Sequence, residues 1–469
     1  MSILSSISNL FLGDKYSDAL HLGIGYALKD YRREKLRDLY LFNKNRKGHT
    51  FVAGTTRVGK TRLLQNMIMQ DIRAGRSVGL IDPKGDWEIW QAIVQEAYKT
   101  GREKELIFIS AVYPQYSVPI NPLSNFINRG EPISIVVSGV PNNEQFFYDV
   151  AKEITTLIVK TLLLQKRHED KPSGELNIKE IYDLTGYSGI QKCREIAKSL
   201  LSIDKEAQGL VAFAERILES EKDYFSKVST SLRTTLSQIV EGQIGGIIGS
   251  ARDNVLVKRL ENQERVILCA QTGAMLDSET SSIMSRILVS MFQELAGRLF
   301  AKTTVLETPF CLYMDEFASM VYLGIEHLFN KSGGANFYLT AATQSLADVE
   351  AAVGIERAKM ISSNTNTKFF MRMTDLDTAE IMARHGGIKR KYSYIFGRGG
   401  NITTRETEED IIKSEDFLAL NEREFYYFGF EGRFFGKTAP TEPVELKISV
   451  DDPNANLLGA NGLRLNGAS

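Results

Sequence analysis

Cysteine is scarce and scattered. Cys193, Cys269 and Cys311 are the only three in 469 residues and form no CxxC pair. That excludes a disulfide framework and a cysteine-based zinc site, and reads as a reducing cytosol. Cys269 and Cys311 sit inside apolar runs, where a free cysteine behaves as a small hydrophobe. Long apolar runs are lacking too. The longest uncharged stretch, 106–128, contains Pro114, Pro119 and Pro122 and cannot span a bilayer as a helix. Residues 1–13 are apolar but have neither a basic n-region nor a small-residue cleavage site, so no secretory leader is read there. An excess of charge is absent as well: 57 Lys and Arg balance 58 Asp and Glu. This excludes a binder coated in positive charge but leaves room for a local basic surface. What remains, 43% hydrophobic and 25% charged, is an ordinary globular mixture. At roughly 150 residues per domain it suits about three units, or one large domain carrying an insertion.

Residues 1–47 form a mixed amphipathic segment. Positions 29–47 hold eight basic residues against Asp30, Glu34 and Asp38, which fits a solvated helix face or a surface turned to anionic lipid or DNA. From His49 onward, short apolar runs of β type alternate with helical stretches. The runs are 50–53, 77–81, 106–109, 266–270, 310–314, 336–342 and 368–373. Continuous apolar runs of this length read as buried parallel strands, and the alternation predicts an α/β sheet. Between 141 and 262 the pattern is helical throughout. Phe146, Phe147, Val150, Ile154, Leu157, Ile158 and Thr161 keep helical spacing, and further stretches follow near 176–184, 190–203, 206–223 and 225–241. The reading is a nucleotide-binding domain built from 48–140 and 263–450, with an all-α domain at 141–262. Gly242, Gly245, Gly246 and Gly249 loosen the chain before it returns to the sheet. The tail 451–469, rich in Asn, Gly and Ala, is expected to be poorly ordered.

Gly54-Thr55-Thr56-Arg57-Val58-Gly59-Lys60-Thr61 matches G-x-x-x-x-G-K-[ST] in full, with an apolar strand before it and an amphipathic helix after it. The glycines let backbone N–H groups turn inward around phosphate oxygens, and the helix N-terminus adds its positive end. Lys60 is expected to reach the β- and γ-phosphates of ATP, and the Thr61 hydroxyl to ligate Mg²⁺. Arg62 completes the candidate cofactor-binding set. Asp315 and Glu316 end a second apolar run. Asp315 is the expected Mg²⁺ partner of Thr61, and Glu316 the base that deprotonates the attacking water. Strand ends gather ligands in open α/β sheets. Gln344, after the sixth run, is therefore expected to sense the γ-phosphate or place the water. Asp82 and Asp86, after the second run, fit the same crevice or a plain polar turn.

These segments, in this order and with an all-α insertion before the Asp-Glu strand, resemble the type IV coupling proteins. Those are TraD/TraG-like ATPases of bacterial conjugation within the FtsK/HerA superfamily. The resemblance rests on His49-Thr-Phe-Val-Ala-Gly-Thr-Thr-Arg-Val-Gly-Lys-Thr, Ile81-Asp-Pro-Lys-Gly-Asp, Tyr313-Met-Asp-Glu-Phe, Ala341-Ala-Thr-Gln-Ser and the stretch 278–297. It implies an α/β, RecA-like P-loop NTPase domain with a mainly parallel sheet and an inserted all-α domain. It implies a homo-hexameric motor that takes a relaxase–DNA complex from the relaxosome and feeds DNA to a type IV secretion channel. It also implies a neighbour's arginine completing each site, for which Arg372, on the run 368–373, is the candidate and Lys368 the rival. Members usually carry an N-terminal transmembrane anchor. No such run occurs here, so the expectation is a cytoplasmic motor brought to the inner membrane by an anchored partner, or a motor lacking its anchor. Two other readings share these motifs: a HerA- or FtsK-like translocase in repair, segregation or phage defence, and a nucleotide-gated receptor that does not itself translocate.

A translocase needs sequence-independent handles on DNA, meaning backbone charge and base stacking. The best candidates are Lys389, Arg390, Lys391, Tyr392 and Arg398, where four positive charges meet aromatics. The same alternation also describes a half-buried hairpin strand. Lys166, Arg167, His168 and Lys171, at the expected tip of a helix in the insertion, form a second basic group.

Overall fold

The structure is a computed structural model that describes residues 18–29, 32–33, 35–141, 145–169, 175–396, 402–448 and 465–466. The chain divides into two compact units: Met1–Ala74 with Tyr338–Pro443, and Gly75–Phe337 with Val444–Ser469.

In the first unit the strand Thr50–Ala53 is buried along its whole length and lies parallel to Phe337–Thr343 on one side and Thr367–Phe370 on the other. Neighbouring strands cover its two edges, and packing on both faces of the sheet buries all four side chains, which is why the run lacks a polar alternation. The helix Lys60–Arg73 follows and buries Leu63, Leu64, Met67, Ile68 and Ile72 on one stripe. Its far end is anchored by Arg46, whose two terminal nitrogens each donate to Asp71 at 2.7 Å. Both side chains are fully buried, so removing one partner would strand a charge at a cost of about 3–5 kcal/mol.

Beyond Thr367–Phe370 the sheet of this unit turns antiparallel. Glu424–Gly429 pairs with Thr367–Phe370, Gly432–Thr438 with Glu424–Gly429, and Ala19–Lys29 with Gly432–Thr438, while Arg37–Phe42 closes the edge. Residues 19–29 and 37–42 are therefore strands, which corrects the helix-face reading of positions 29–47 up to the short helix Asn43–Arg46. From Leu39 the period is two: Leu39 and Leu41 are buried and Tyr40 and Phe42 half-buried, while Arg37 and Asp38 at the strand's start are both exposed. Of the basic residues, Arg37 is exposed at the start of this edge strand, where a charge works against edge-to-edge pairing, whereas Arg46 lies on the short helix Asn43–Arg46 and is buried on Asp71. The strand expected over 368–373 is shorter and ends at Phe370, so Arg372 follows the strand rather than closing it.

The second unit holds four parallel strands in the order Phe310–Met314, Ser77–Asp82, Ile267–Gln271, Leu106–Ser110. Each coincides with an expected run to within a residue. Among the described residues between 145 and 261, every regular element is helical, from Gln145–Arg167 to Val255–Glu261. The glycines at 245–249 form a single π-helical turn with Ile247 and Ile248 buried. Helices of this segment also pack on helices outside 141–262. The helix Gly130–Ser138 packs on both Gln145–Arg167 and Ser278–Ala301. Arg298 of the latter donates to Glu131 at 2.7 Å and to Glu261 at 2.9 Å. The unit boundaries at Ala74/Gly75 and Phe337/Tyr338 also divide the expected nucleotide-binding domain between the two units. No helix of the described residues is long and apolar enough to cross a membrane. Of the tail from 451, only Leu465–Asn466 lies within the described residues, where it pairs antiparallel with Lys447–Ile448.

Candidate functional site

The first unit carries the phosphate loop. The strand Thr50–Ala53 ends in Gly54, whose N–H donates to the Thr343 carbonyl at 3.3 Å, and the next N–H, of Thr55, donates to the Arg372 carbonyl at 2.9 Å. Arg57 and Gly59 take left-handed backbone, with φ of 60° and 101°. A side chain at Gly59 would be strained and would also press on Arg423. These two turns aim the loop's donors inward. The N–H groups of Thr56, Arg57, Val58 and Gly59 meet no acceptor among the described residues. Consecutive N–H groups left open at the start of a helix suit a phosphate chain, so the loop fits the nucleotide that its sequence implies. Lys60 is 6% exposed, and its ammonium donates to the carbonyls of Gly54 at 2.5 Å and Thr55 at 2.8 Å. It is thus held inside the loop, ready to exchange carbonyl oxygens for phosphate oxygens. Thr61 and Arg62 open the helix and are half-buried.

Gln344 follows the parallel strand Phe337–Thr343 and precedes Ser345, which caps the helix Leu346–Val353 by accepting the Asp348 N–H at 3.1 Å. Gln344 is therefore pinned between a strand end and a capped helix. Arg372 is exposed, and its backbone abuts the phosphate loop of its own chain. Lys368 lies level with Phe51, well below the loop, with its ammonium on the Thr365 carbonyl. Burial pulls its pKa down to about 8. Arg423 is a residue that the motifs do not reveal. Its N–H donates to the Val58 carbonyl at 2.8 Å, and its φ of 67° marks a turn fitted around the loop. Only a polar stretch, Asn421-Glu-Arg-Glu, marks it in the sequence.

The second unit carries the carboxylates. Asp315 ends the buried strand Phe310–Met314, is 4% exposed and donates its N–H to Ile81 at 3.1 Å. Glu316 sits in left-handed backbone with φ 53° and ψ 49°. Its N–H donates to the Asp315 carboxylate at 3.0 Å, and its own carboxylate lies 2.7 Å from the Lys84 ammonium. Asp82 is buried, and its two oxygens accept the N–H groups of Lys84 at 2.9 Å and Asp86 at 2.6 Å. Burial, with the nearby charge of Asp315, raises its pKa to about 6. Asp86 accepts the Glu88 N–H at 2.8 Å and caps the helix Trp87–Lys99. Asp82 and Asp86 are thus builders of a turn, which realises the polar-turn alternative. The turn's product, a lysine placed against Glu316, is what the sequence reading missed.

The DNA candidates lie on a hairpin, Ile388–Phe396 with Ile402–Asp410. Opposite the basic strand stands an acidic one. Lys389 lies 3.8 Å from Glu409, Arg390 lies 3.3 Å from Glu406, and the Tyr392 hydroxyl donates to Glu406 at 3.4 Å. Lys391 occupies a strand position opposite Thr407, and Arg398 lies outside the described residues. The second basic group is committed locally. Lys166 pairs with Glu180, Arg167 with Asp204 and Glu206, and His168 with Asp204. Lys171 lies outside the described residues.

A phosphate loop between a buried parallel strand and a helix, with a strand-end Asp-Glu pair on a second parallel set, defines a P-loop NTPase fold. Comparison with known proteins narrows it. A family model described as the TraM recognition site of TraD and TraG matches residues 309–422. The bacterial conjugative coupling protein TrwBdeltaN70 shares the fold with a TM-score of 0.65 at 17% identity, over 86% of this chain and 87% of that one. TrwB in complex with ADP and Mg²⁺ gives 0.61 at 17% identity, over 86% and 89%. VirB4 of Thermoanaerobacter pseudethanolicus gives 0.52 at 12% identity, over 90% and 97%. No curated protein matches the sequence. The chain has the fold of the conjugative coupling proteins, and the resemblance to type IV coupling proteins stands on that fold and on the 309–422 match.

Proposed function

We propose that this chain is the ATP-hydrolysing motor of a conjugative coupling apparatus, taking a relaxase–DNA substrate to a type IV secretion channel. The observation that carries the reading is the complete chemical set on this fold: Lys60 inside an open-donor loop, and, at a strand end, the buried Asp315 followed by the part-exposed Glu316. TrwB, which shares the fold, has been solved with ADP and Mg²⁺. Loop residues 54–62 bind the phosphates, Thr61 and Asp315 ligate Mg²⁺, Glu316 takes the proton of the attacking water, and Gln344 positions that water. Mg²⁺ supplies charge neutralisation on the β- and γ-phosphates. The match of residues 309–422 to the TraM recognition site of TraD and TraG supports relaxosome proteins as partners. Assembly as a homo-hexamer and recruitment to the inner membrane by an anchored partner complete the proposal.

The test is Mg²⁺-dependent phosphate release by the purified chain, with and without single- and double-stranded DNA across a salt series. DNA is expected to raise turnover, and the stimulation to fall steeply with salt because binding releases counterions. Replacing Lys389, Arg390 and Lys391 together by alanine is expected to weaken the stimulation and leave basal turnover intact. The effect is kept modest by the carboxylates of Glu406 and Glu409 already facing those cations. Equal loss of both rates would assign the hairpin to folding instead.

Arg372 is proposed to stabilise charge developing on the γ-phosphate. The bond from the Thr55 N–H to its carbonyl supports action on the nucleotide of its own chain. The Arg372→Ala variant is expected to bind ATP normally and lose about 10²–10³ in kcat. Mixing it with Lys60→Ala protein is expected to restore nothing. Partial recovery in mixed rings would show that Arg372 serves a neighbour's site, as the family resemblance implies.

A further inference from the structure

We propose that Lys84 is the positioning residue of Glu316, its ammonium fixing the carboxylate in the orientation from which it acts on water. The inference rests on Glu316 being the base.

The second unit builds this contact from both sides. On one side, the turn after Ser77–Asp82 is closed at three points. The two oxygens of Asp82 hold the N–H groups of Lys84 and Asp86, Asp86 caps the next helix, and Gly85 takes the left-handed corner with φ 71°. A turn tied this way holds the backbone of Lys84 in one place. On the other side, Glu316 occupies backbone that non-glycine residues seldom adopt. It is kept there by its N–H on Asp315 and by its carbonyl, which accepts the Ser319 N–H at 3.0 Å and the Ser319 hydroxyl at 2.9 Å. Two rigid supports therefore meet at one ion pair, Lys84 Nζ to Glu316 Oε2 at 2.7 Å. The strands that carry them run side by side in register, with Ile81 opposite Met314. The Glu316 side chain is 18% exposed and that of Lys84 42%, so the carboxylate is enclosed while the lysine covers it from the solvent side.

A free glutamate side chain has three rotatable bonds, and a general base acts only within hydrogen-bond reach of its proton. Holding one oxygen on a fixed ammonium leaves the other directed. Burial alone would favour the neutral amine. The Glu316 bond and the charges of Asp315, Glu316 and Asp82 outweigh it, so the pKa of Lys84 is raised and the clamp stays charged.

The experiment compares Lys84→Met, Lys84→Arg and Lys84→Met/Glu316→Gln in the full chain. For Lys84→Met, kcat is expected to fall about 10–10²-fold, the scale of a misplaced reacting group. Affinity for a fluorescent ATP analogue and the melting temperature without nucleotide are expected to stay close to wild type. Lys84→Arg, which keeps the charge and donors, is expected to recover most of the turnover. In the Glu316→Gln background, Lys84→Met is expected to cost nothing further, because the group it positions is gone. Unchanged kcat in Lys84→Met overturns the proposal. A raised kcat overturns it too and makes the pair a restraint on the base, and a full further loss in the Glu316→Gln background assigns Lys84 to another step. Should Lys84→Met fail to fold, Lys84→Gln against Lys84→Arg carries the same comparison. Wild-type turnover in Glu316→Gln alone would instead defeat the reading of Glu316 as base, whatever Lys84 does.

Discussion

Replacing Lys60 by alanine is expected to abolish ATP turnover while leaving the fold in place. The ammonium is buried and bonded to two carbonyls of the loop, Gly54 and Thr55, whose phosphate-facing donors are backbone N–H groups. Those backbone donors survive the substitution, so the variant should still engage phosphates, but it loses the loop's own lysine, the cation proposed to follow charge onto the transferred group. Loss of a single donor of this kind removes about 10²–10³ in rate, and a full positive charge in an enclosed loop exceeds that scale. The structural cost is small. The carbonyls lose a donor, worth about 1–3 kcal/mol if no water replaces it. The stripe Leu63, Leu64, Met67, Ile68 and Ile72, fully buried, still holds the helix. A melting curve displaced by only a few degrees, beside a phosphate-release rate at background, is the expected pair of results. Turnover near the wild-type rate would remove the loop from the mechanism.

The parts of this molecule that were legible in the sequence share one property: their signal is local. The strand Thr50–Ala53, the loop after it and the helix Lys60–Arg73 are contiguous, so spacing alone identifies them. The buried parallel strands are continuous apolar runs because both faces are covered. What escaped depends on distant partners. Gly23 and Gly25 lie so close to Gly432–Thr438 that a side chain at Gly25 would collide with the Phe435 carbonyl, yet nothing near residue 25 announces a partner so far along the chain. The antiparallel hairpin of Glu424–Gly429 is held by stacking, with Phe369 and Tyr427 rings 4.9 Å apart at 7°. The Lys84–Glu316 contact follows the same rule. Asp82-Pro-Lys-Gly-Asp announces a turn, but only the pairing of two strand ends shows what the turn presents. The basic residues at 29–47 misled for the opposite reason. Charge is visible locally, but it does not show that Leu39 and Leu41 alternate beneath it on a strand or that Arg46 turns inward to the distant Asp71.

The Glu316→Gln variant is expected to bind ATP and Mg²⁺ and to hydrolyse ATP about 10²–10⁴-fold more slowly, the range that general-base catalysis contributes. Glutamine keeps the side-chain length, and its amide oxygen can still accept from Lys84, so the left-handed turn at 316 and its supports from Asp315 and Ser319 should persist. What is lost is a lone pair basic enough to take a proton. Asp315 is a separate matter, because it is buried at the strand end and is the proposed metal ligand. Asp315→Asn is therefore expected to raise the Mg²⁺ concentration needed for binding, whereas Glu316→Gln leaves that requirement alone. A titration of Mg²⁺ against fluorescent-nucleotide binding for both variants, read beside kcat, separates the two carboxylates. The Glu316→Gln protein should accumulate in its ATP-bound form, visible as unhydrolysed nucleotide retained through gel filtration. Unchanged kcat would take the base from Glu316, and loss of nucleotide binding would make it a ligand instead.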